Sequence, residues 1–501
     1  MIIFALILVL TVLGALKICG IYLRARKSSQ RAGLGSDVSL KRIIGFFHPY
    51  CNAGGGGERV LWTAIAAMQH SDPNLLFVVY SGDVDASKEE IIAKAKSRFA
   101  ITLDPSSLHF VFLKSRVLVE STTWPYFTLL GQSLGSMYVA LEAMASLLPD
   151  LYIDTMGYAF TFFVVSWLCG VPAGAYVHYP TISTDMLARV RSRKKWHTNQ
   201  SRVAESSVLS GVKLLYYRLF MYYYAAALRQ ASFLMVNSSW TKAHVDSILK
   251  HSDITIDILH KLVLFPFKLI LPAHQSPDNA AIVYPLRHQG TRSISAGRPG
   301  AHDLEHCAVP IIFRPEKDHS MQLQAFAELL REHPQYGSSA KLVLIGGARN
   351  DEDEARVGAL KEETTKLGLQ ANVVFVVNAP YPAMLEWLRK CSIGVNTMVD
   401  EHFGINVVEY MAAGAIPVAH ASGGPLRDIV VPLEGERTGF HATSAAEYAS
   451  AFDAVFALSE GDEIALRARA RRWAVGRFSE DEFVRGWHES GWRRFLATPD
   501  A

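Results

Sequence analysis

The stretch Arg42-Ile-Ile-Gly-Phe-Phe-His-Pro-Tyr-Cys-Asn-Ala-Gly-Gly-Gly-Gly-Glu58 decides the fold class. Arg42–Phe47 is a short apolar run of the kind buried on both faces of a sheet. His48–Glu58 is a glycine-rich turn, and Arg59–Gln69 then repeats its apolar residues at helical spacing. Strand, glycine loop and helix in that order open a doubly wound α/β domain.

Working outward, Leu75–Tyr80 and His109–Leu113 read as further strands. Tyr158–Val177 and Leu214–Val236 are apolar but too short or too polar for convincing membrane spans, and read as core or as monotopic membrane-facing surface. A second alternation begins near Lys341. Leu342–Ile345, Val373–Val377, Ile393–Thr397 and Ile416–His420 read as strands, with helices at Tyr381–Lys390 and at Gly404–Ala413, the latter stopped by Gly414. Strands separated by helices of this length form parallel sheets covered on both faces. Two doubly wound domains are expected, joined within 260–310.

The chain has 501 residues, half of them apolar, and a net charge of +3, which suits globular domains and argues against a dedicated nucleic-acid binder. Its five cysteines (Cys19, Cys51, Cys169, Cys307, Cys391) contain no CxxC pair, so neither a disulfide framework nor a zinc site is expected. Met1–Leu23 carries one charge, Lys17, and as a helix would span about 34 Å. Arg24, Arg26, Lys27 and Arg31 follow it. A transmembrane anchor with the rest of the chain cytosolic is therefore expected, rather than a cleaved signal peptide.

Three segments carry candidate chemistry. Gly54–Gly57 precedes a helix and reads either as a phosphate-approaching loop or as a flexible turn. Arg314-Pro-Glu-Lys317 sets two cations three residues apart before the helix Met321–Leu330, able to grip a diphosphate or simply to start a solvated helix. Glu401-His-Phe-Gly-Ile-Asn-Val-Val-Glu409 places two carboxylates either side of seven residues, after a strand and on the helix that follows. The loop carboxylate can accept sugar hydroxyls and the helical one can hold a ribose diol, while the helix start at Phe403–Gly404 faces phosphate. Asp83-Val-Asp85 and Asp351-Glu-Asp353 resemble metal-binding DxD motifs but read as solvated loops.

Glu401–Glu409, continued by Tyr410-Met-Ala-Ala-Gly-Ala-Ile-Pro-Val, looks like the Glu-x7-Glu signature of retaining GT-B glycosyltransferases. Gly45–Trp62, Val177–Leu187 and Phe313–His319 narrow the likeness. Together they resemble the endoplasmic-reticulum α-1,2-mannosyltransferases that add the fourth and fifth mannoses to dolichol-linked Man3GlcNAc2. The resemblance covers nearly the whole chain. It implies two Rossmann-like domains facing across a cleft: an acceptor domain over 40–275 and a nucleotide-sugar domain over 276–470. Residues 1–23 would be the anchor and 471–501 a C-terminal helical segment.

The resemblance also implies roles. Arg314 and Lys317 would bind the donor diphosphate of GDP-mannose, Glu401 the mannose near the reacting centre, and Glu409 the ribose. Gly55, Gly56, Phe403, Gly404 and Asn406 would line the donor site, and His178 would contact sugar or acceptor. No metal or other cofactor is required, because cations and a helix dipole neutralise the leaving diphosphate. Arg189, Arg191, Arg193, Lys194 and Lys195 form either a solvated loop or a contact for the acceptor diphosphate and anionic headgroups. The implied partners are the dolichol-linked oligosaccharide, the endoplasmic-reticulum membrane and other cytosolic-face mannosyltransferases, without nucleic acid. The alternatives are another retaining lipid-linked-sugar transferase and a catalytically inactive glycan-binding subunit.

One region departs from the family pattern. After Val283-Tyr-Pro285 the family continues Pro-Cys-Asp, whereas this chain reads Leu286-Arg-His-Gln-Gly290. Before Phe313 stands Leu304-Glu-His-Cys-Ala-Val309 in place of an apolar strand. At both ends a one-nucleotide shift of a permitted coding sequence restores the family residues. Residues 286–310 are therefore expected to be an out-of-frame translation unable to supply the second domain's first buried strand.

Overall fold

The computed structural model describes residues 2–34, 41–182, 207–258, 277–286, 306–310, 313–348 and 350–496, with the backbone alone at 2–10, 12–13, 207–210, 306–310 and 381. The chain divides into two compact units: Met1–Asn237, Thr241–Val283 and Val484–Ala501 form one, Ser238–Trp240 and Tyr284–Phe483 the other. The chain passes from the first unit to the second at 283/284, and from Val484 it belongs again to the first unit. Trp487 explains that return: fully buried, it stacks on Phe46 and Tyr176 at 6.3 and 6.1 Å between centroids, and its indole N–H points at Met68 Sδ 3.3 Å away.

The first unit carries β1 (Arg42–Phe47), β2 (Leu75–Ser81), β3 (Leu108–Phe112), β4 (Leu151–Asp154), β5 (Ala173–Val177), β6 (Phe233–Val236) and β7 (Ala281–Ile282). They form one parallel sheet in the order β3-β2-β1-β4-β5-β6-β7. The order reverses between β1 and β4, which sets a crevice at their carboxyl ends. The two long apolar stretches resolve into mixed elements. The first holds the helical turns Phe163–Leu168 and β5; the second ends in β6 after most of the helix Ser207–Leu228.

The second unit carries β8 (His306–Pro310), β9 (Lys341–Gly346), β10 (Val373–Val377), β11 (Ile393–Asn396), β12 (Ile416–His420) and β13 (Phe440–Ala442), all parallel, in the order β10-β9-β8-β11-β12-β13. Apolar clusters cover both faces. Leu323, Phe326 and Phe452 belong to one, Val407, Met411 and Ala470 to the other, and each fully buried large side chain contributes about 1.5–3 kcal/mol. β8 corrects the sequence reading. His306–Pro310 pairs with both β9 and β11. Ladder bonding is made by the main chain, so a segment without strand alternation can still fill the central slot. Residues 287–305 of the departing stretch lie outside the described residues.

At the N-terminus, Ile2–Ala25 is a 24-residue helix. Among the residues whose side chains are described, no helix is long and apolar enough to cross a membrane. The first ten residues of the expected anchor fall outside that set. The basic residues after it dock onto the first unit rather than standing free. Arg24 donates to Leu168 O at 2.9 Å, and Lys27 and Arg31 pair with Asp150 at 2.9 and 2.6 Å. Asp150 also accepts the β1 amide of Ile43 at 2.8 Å. Burial pushes its carboxyl pKa up, but these partners outweigh burial and hold it below the usual range.

Candidate functional site

In the second sheet the order reverses between β8 and β11, so the loops leaving their carboxyl ends define the ligand-binding edge. Both expected motifs sit there. The segment from Phe313 follows β8, and Lys317 ends a short 3-10 turn, Pro315–Lys317. Thr397, just past β11, donates its hydroxyl to the main-chain oxygens of Lys317 and Asp318 at 2.7 and 3.1 Å. Gln322 completes the latch by donating to Thr397 Oγ1 at 2.8 Å. Lys317 is thereby aimed at Glu401, and the two form a close ion pair through Nζ and Oε2. Their side chains are 17% and 12% exposed, so the pair is only lightly screened. Arg314 is more open, at 42%, and lies 3.7 Å from Glu316.

Glu401 is held from its other side as well. Asn396 Nδ2 donates to Glu401 Oε2 and to Asn406 Oδ1, both at 3.3 Å, and Asn406 Nδ2 donates to Tyr410 Oη at 3.0 Å. Lys317, Glu401, Asn396, Asn406 and Tyr410 are thus one connected polar chain. Tyr410 can lie flat on β11 because position 394 is glycine: a Cβ there would sit 2.2 Å from the ring. The loop itself is shaped by close backbone approach. Gly424 N donates to Glu401 O at 2.8 Å, and a Cβ on Gly423, at φ +65°, would lie 2.2 Å from that same oxygen.

The helix Ile405–Ala413 starts from Gly404 at φ +101°, and no side chain caps it. Val407 and Val408 donate to Gly404 O at 2.9 and 3.3 Å, which leaves the N–H groups of Ile405 and Asn406 to face an anion. Glu409 is the helix's fifth residue and is partly exposed. Phe403, expected at the donor, is instead core: it is 4% exposed and packs on Phe478 and Tyr284, with centroids 5.4 and 6.1 Å away. Its contribution is to fix the loop.

In the first unit the crevice edge between β1 and β4 holds a group that the sequence reading left unassigned. His48 follows β1 directly, is fully buried, and has Nδ1 2.7 Å from Thr155 Oγ1 and Nε2 3.4 Å from Glu58 Oε1. Burial works to raise the Glu58 pKa, but bonds from His48, the helix start and Gly55 outweigh it and hold the carboxyl below its usual value. The glycine loop therefore differs from the phosphate-loop expectation: Glu58 already takes the Gly55 N–H and places a negative charge at that helix start. Gly56 faces open space, and Gly57 is where His48 and His178 converge, its missing Cβ 3.6 Å from His178 Nε2 and 3.9 Å from His48 Cε1. His178 sits past β5, edge-on to Tyr176 at 4.9 Å, with its carbonyl accepting from Asn237 Nδ2 at 2.8 Å. The signal for His48 was its place one residue beyond β1, the same position relative to a strand end that marked His178.

Arg189, Arg191, Arg193, Lys194 and Lys195 lie outside the described residues. The DxD-like acids are not all solvated, as expected. Asp83 is buried and ties its loop to Arg116 at 2.5 Å, whereas Asp353 is buried in the first turn of the helix Asp351–Lys366, 3.4 Å from Arg356 on the same helix; Asp85 and Asp351 are exposed. Among the described residues no cluster of three or more His, Cys, Asp or Glu is placed to hold a metal ion.

Residues 41–249 match the family model of the ALG11 mannosyltransferase N-terminus, and residues 312–473 that of glycosyl transferases group 1. The GDP-Man:Man(3)GlcNAc(2)-PP-Dol alpha-1,2-mannosyltransferase of Xenopus laevis is 44% identical over 456 residues, covering 91% of this chain and 88% of that one. The Homo sapiens enzyme of the same name is 42% identical over 481 residues, covering 95% and 92%. Among solved structures, Anabaena Alr3699/HepE with UDP and glucose superposes with a TM-score of 0.55 at 15% identity, covering 89% of this chain and 98% of that one. A Burkholderia multivorans trehalose 6-phosphate synthase gives 0.62 at 12%, covering 91% and 99%. These two share the fold alone, a GT-B-like α/β architecture with parallel sheets. Two family models on two doubly wound units, and relatives above 40% identity along nearly the whole length, lead to one assignment: this chain belongs to the GDP-Man:Man(3)GlcNAc(2)-PP-Dol alpha-1,2-mannosyltransferase family.

Proposed function

We propose that this chain transfers mannose from GDP-mannose, in α-1,2 linkage and with retention, to dolichol-diphosphate-linked Man3GlcNAc2, supplying its fourth and fifth mannoses. The observation that carries the reading is the Lys317–Glu401 pair at the carboxyl edge of the second sheet, beside Arg314 and an uncapped helix start. Arg314, Lys317 and that helix start together offer positive potential to a leaving diphosphate, so the reading calls for no metal. Glu401, already accepting from Lys317 and Asn396, is a better acceptor for sugar hydroxyls than a nucleophile. The leaving phosphate oxygen then takes the acceptor proton in a front-face displacement. Glu409, further along the helix, is left for the ribose.

The helix Ile2–Ala25 is the single-pass anchor in this reading, holding the catalytic units on the cytosolic face of the endoplasmic reticulum. It is supported by the apolar sequence of residues 2–23 and by Leu130, Leu134 and Tyr138, which lie four residues apart along one helix and are all exposed. Purified protein given GDP-mannose and lipid-linked Man3GlcNAc2 should yield glycans larger by one and two hexoses, both trimmed by an α-1,2-mannosidase, with or without EDTA. Absence of growth overturns the activity; loss of growth in EDTA overturns the metal-free site.

A further inference from the structure

The first unit contains a cavity of about 120 Å³ that the donor chemistry does not use. Its walls are the start of the helix Thr128–Ser146 (Leu129, Gln132, Ser133, Ser136), the loop leaving β4 (Met156–Phe160) and Thr181. It therefore opens at the carboxyl ends of β4 and β5, on the ligand-binding edge of that sheet. Gly157, at φ +91°, brings the loop close to the main chain of Tyr179, next to His178.

The hydrogen-bond directions of the wall decide what fits. Ser133 and Ser136 have committed their hydroxyl protons to Leu129 O and Ser133 O, both at 2.7 Å, and Thr181 directs its own to Gly157 O at 3.4 Å. Gln132 spends one of its two amide hydrogens on Val119 O at 2.8 Å. What these four side chains have left is mostly lone pairs, on three hydroxyl oxygens and one amide oxygen, with the second Gln132 amide hydrogen as their single remaining donor. Such a wall receives donors. Among the described residues no Lys or Arg lines it, so these walls offer a phosphate no cationic partner. Tyr158 and Phe160 add aromatic surface. At roughly 10–15 Å³ per water-sized sphere, the space suits a body of about ten heavy atoms.

We infer that this cavity is a subsite for one uncharged, hydroxyl-rich sugar ring of the acceptor glycan, and that the acceptor's diphosphate binds elsewhere. The inference rests on the proposed function for the identity of the glycan. Ser133→Ala combined with Thr181→Val deletes two acceptor oxygens with little change of volume. The pair should raise KM for lipid-linked Man3GlcNAc2 at least fivefold, with KM for GDP-mannose and kcat at saturating acceptor unchanged. In saturation-transfer NMR, lipid-free Man3GlcNAc2 should receive signal from the parent protein and much less from the variant, whereas inorganic pyrophosphate should not compete. An unchanged acceptor KM in a variant that melts like the parent, or displacement of the glycan by pyrophosphate, overturns the subsite. Should the pair fail to fold, Gln132→Leu is read the same way. If the parent transfers no mannose, the proposed function fails, and the NMR comparison still decides the cavity.

Discussion

Lys317 and Glu401, 84 positions apart in sequence, meet as an ion pair at the edge where β8 and β11 part. Neither position is held by its own element alone. Thr397 latches the turn that carries Lys317, and Gly423 with Gly424 shapes the loop that carries Glu401.

That pairing separates the two cations of the motif. Arg314→Ala removes an open charge and should lower kcat/KM 10- to 100-fold, about the 1.5–3 kcal/mol of a charge-assisted bond, with no change in melting temperature. Lys317→Ala should lower kcat/KM at least as far and also lower the melting temperature, because it strands a largely buried carboxylate. Equal melting of both variants would contradict the pairing.

Glycine at 423 is required for shape rather than flexibility. Gly423→Ala should displace Glu401, costing about 1–3 kcal/mol of stability and an order of magnitude or more in kcat/KM. Gly435 also has positive φ, +85°, but faces open space, so Gly435→Ala should cost about 1 kcal/mol and leave activity intact. Chemical denaturation and steady-state kinetics on both variants distinguish crowding from backbone strain.

Near the same site, burial, with Lys317 and Arg356 adding to it, pushes the His319 pKa down to about 4 from an ordinary 6.5. The folded state thus resists a proton that the unfolded chain accepts. The stability tied to neutral His319 is complete above pH 6.5 and is lost as pH falls from 6.5 through 4, a change on the order of 3 kcal/mol. Urea unfolding across that range should show the slope, and His319→Gln should flatten it.

Two glycosylation sequences, Asn199-Gln-Ser201 and Asn237-Ser-Ser239, would stay unmodified if the catalytic units are cytosolic. Asn237 is 5% exposed and its amide is bonded to His178 O, so it should carry no glycan in either orientation. Topology is better read by protease digestion of sealed microsomes. The catalytic units should be degraded without detergent; their protection would reverse the orientation.

Much of this architecture is written locally. Strand, glycine turn and helix over Arg42–Gln69, and the Glu401–Glu409 segment, announce themselves because apolar period and turn residues agree within one short window. Other features depend on partners far along the chain. His306–Pro310 is a strand through main-chain pairing with β9 and β11, which no side-chain pattern encodes. His48 acquires meaning only when Thr155, 107 positions later, arrives beside it. Glu58 read only as the end of the glycine loop, and its carboxylate takes the Gly55 N–H within that loop.

Asp150 has a mechanical consequence. One carboxylate holds Lys27 and Arg31, on the short helix that follows the N-terminal one, together with the Ile43 amide of the central strand β1. The N-terminal helix is thus a strut bolted to the sheet, not a leash. With that helix as the proposed membrane anchor, the enzyme would search for its lipid-borne acceptor in two dimensions at fixed height, sweeping a plane instead of a hemisphere. Asp150 is then the pivot that keeps the height constant.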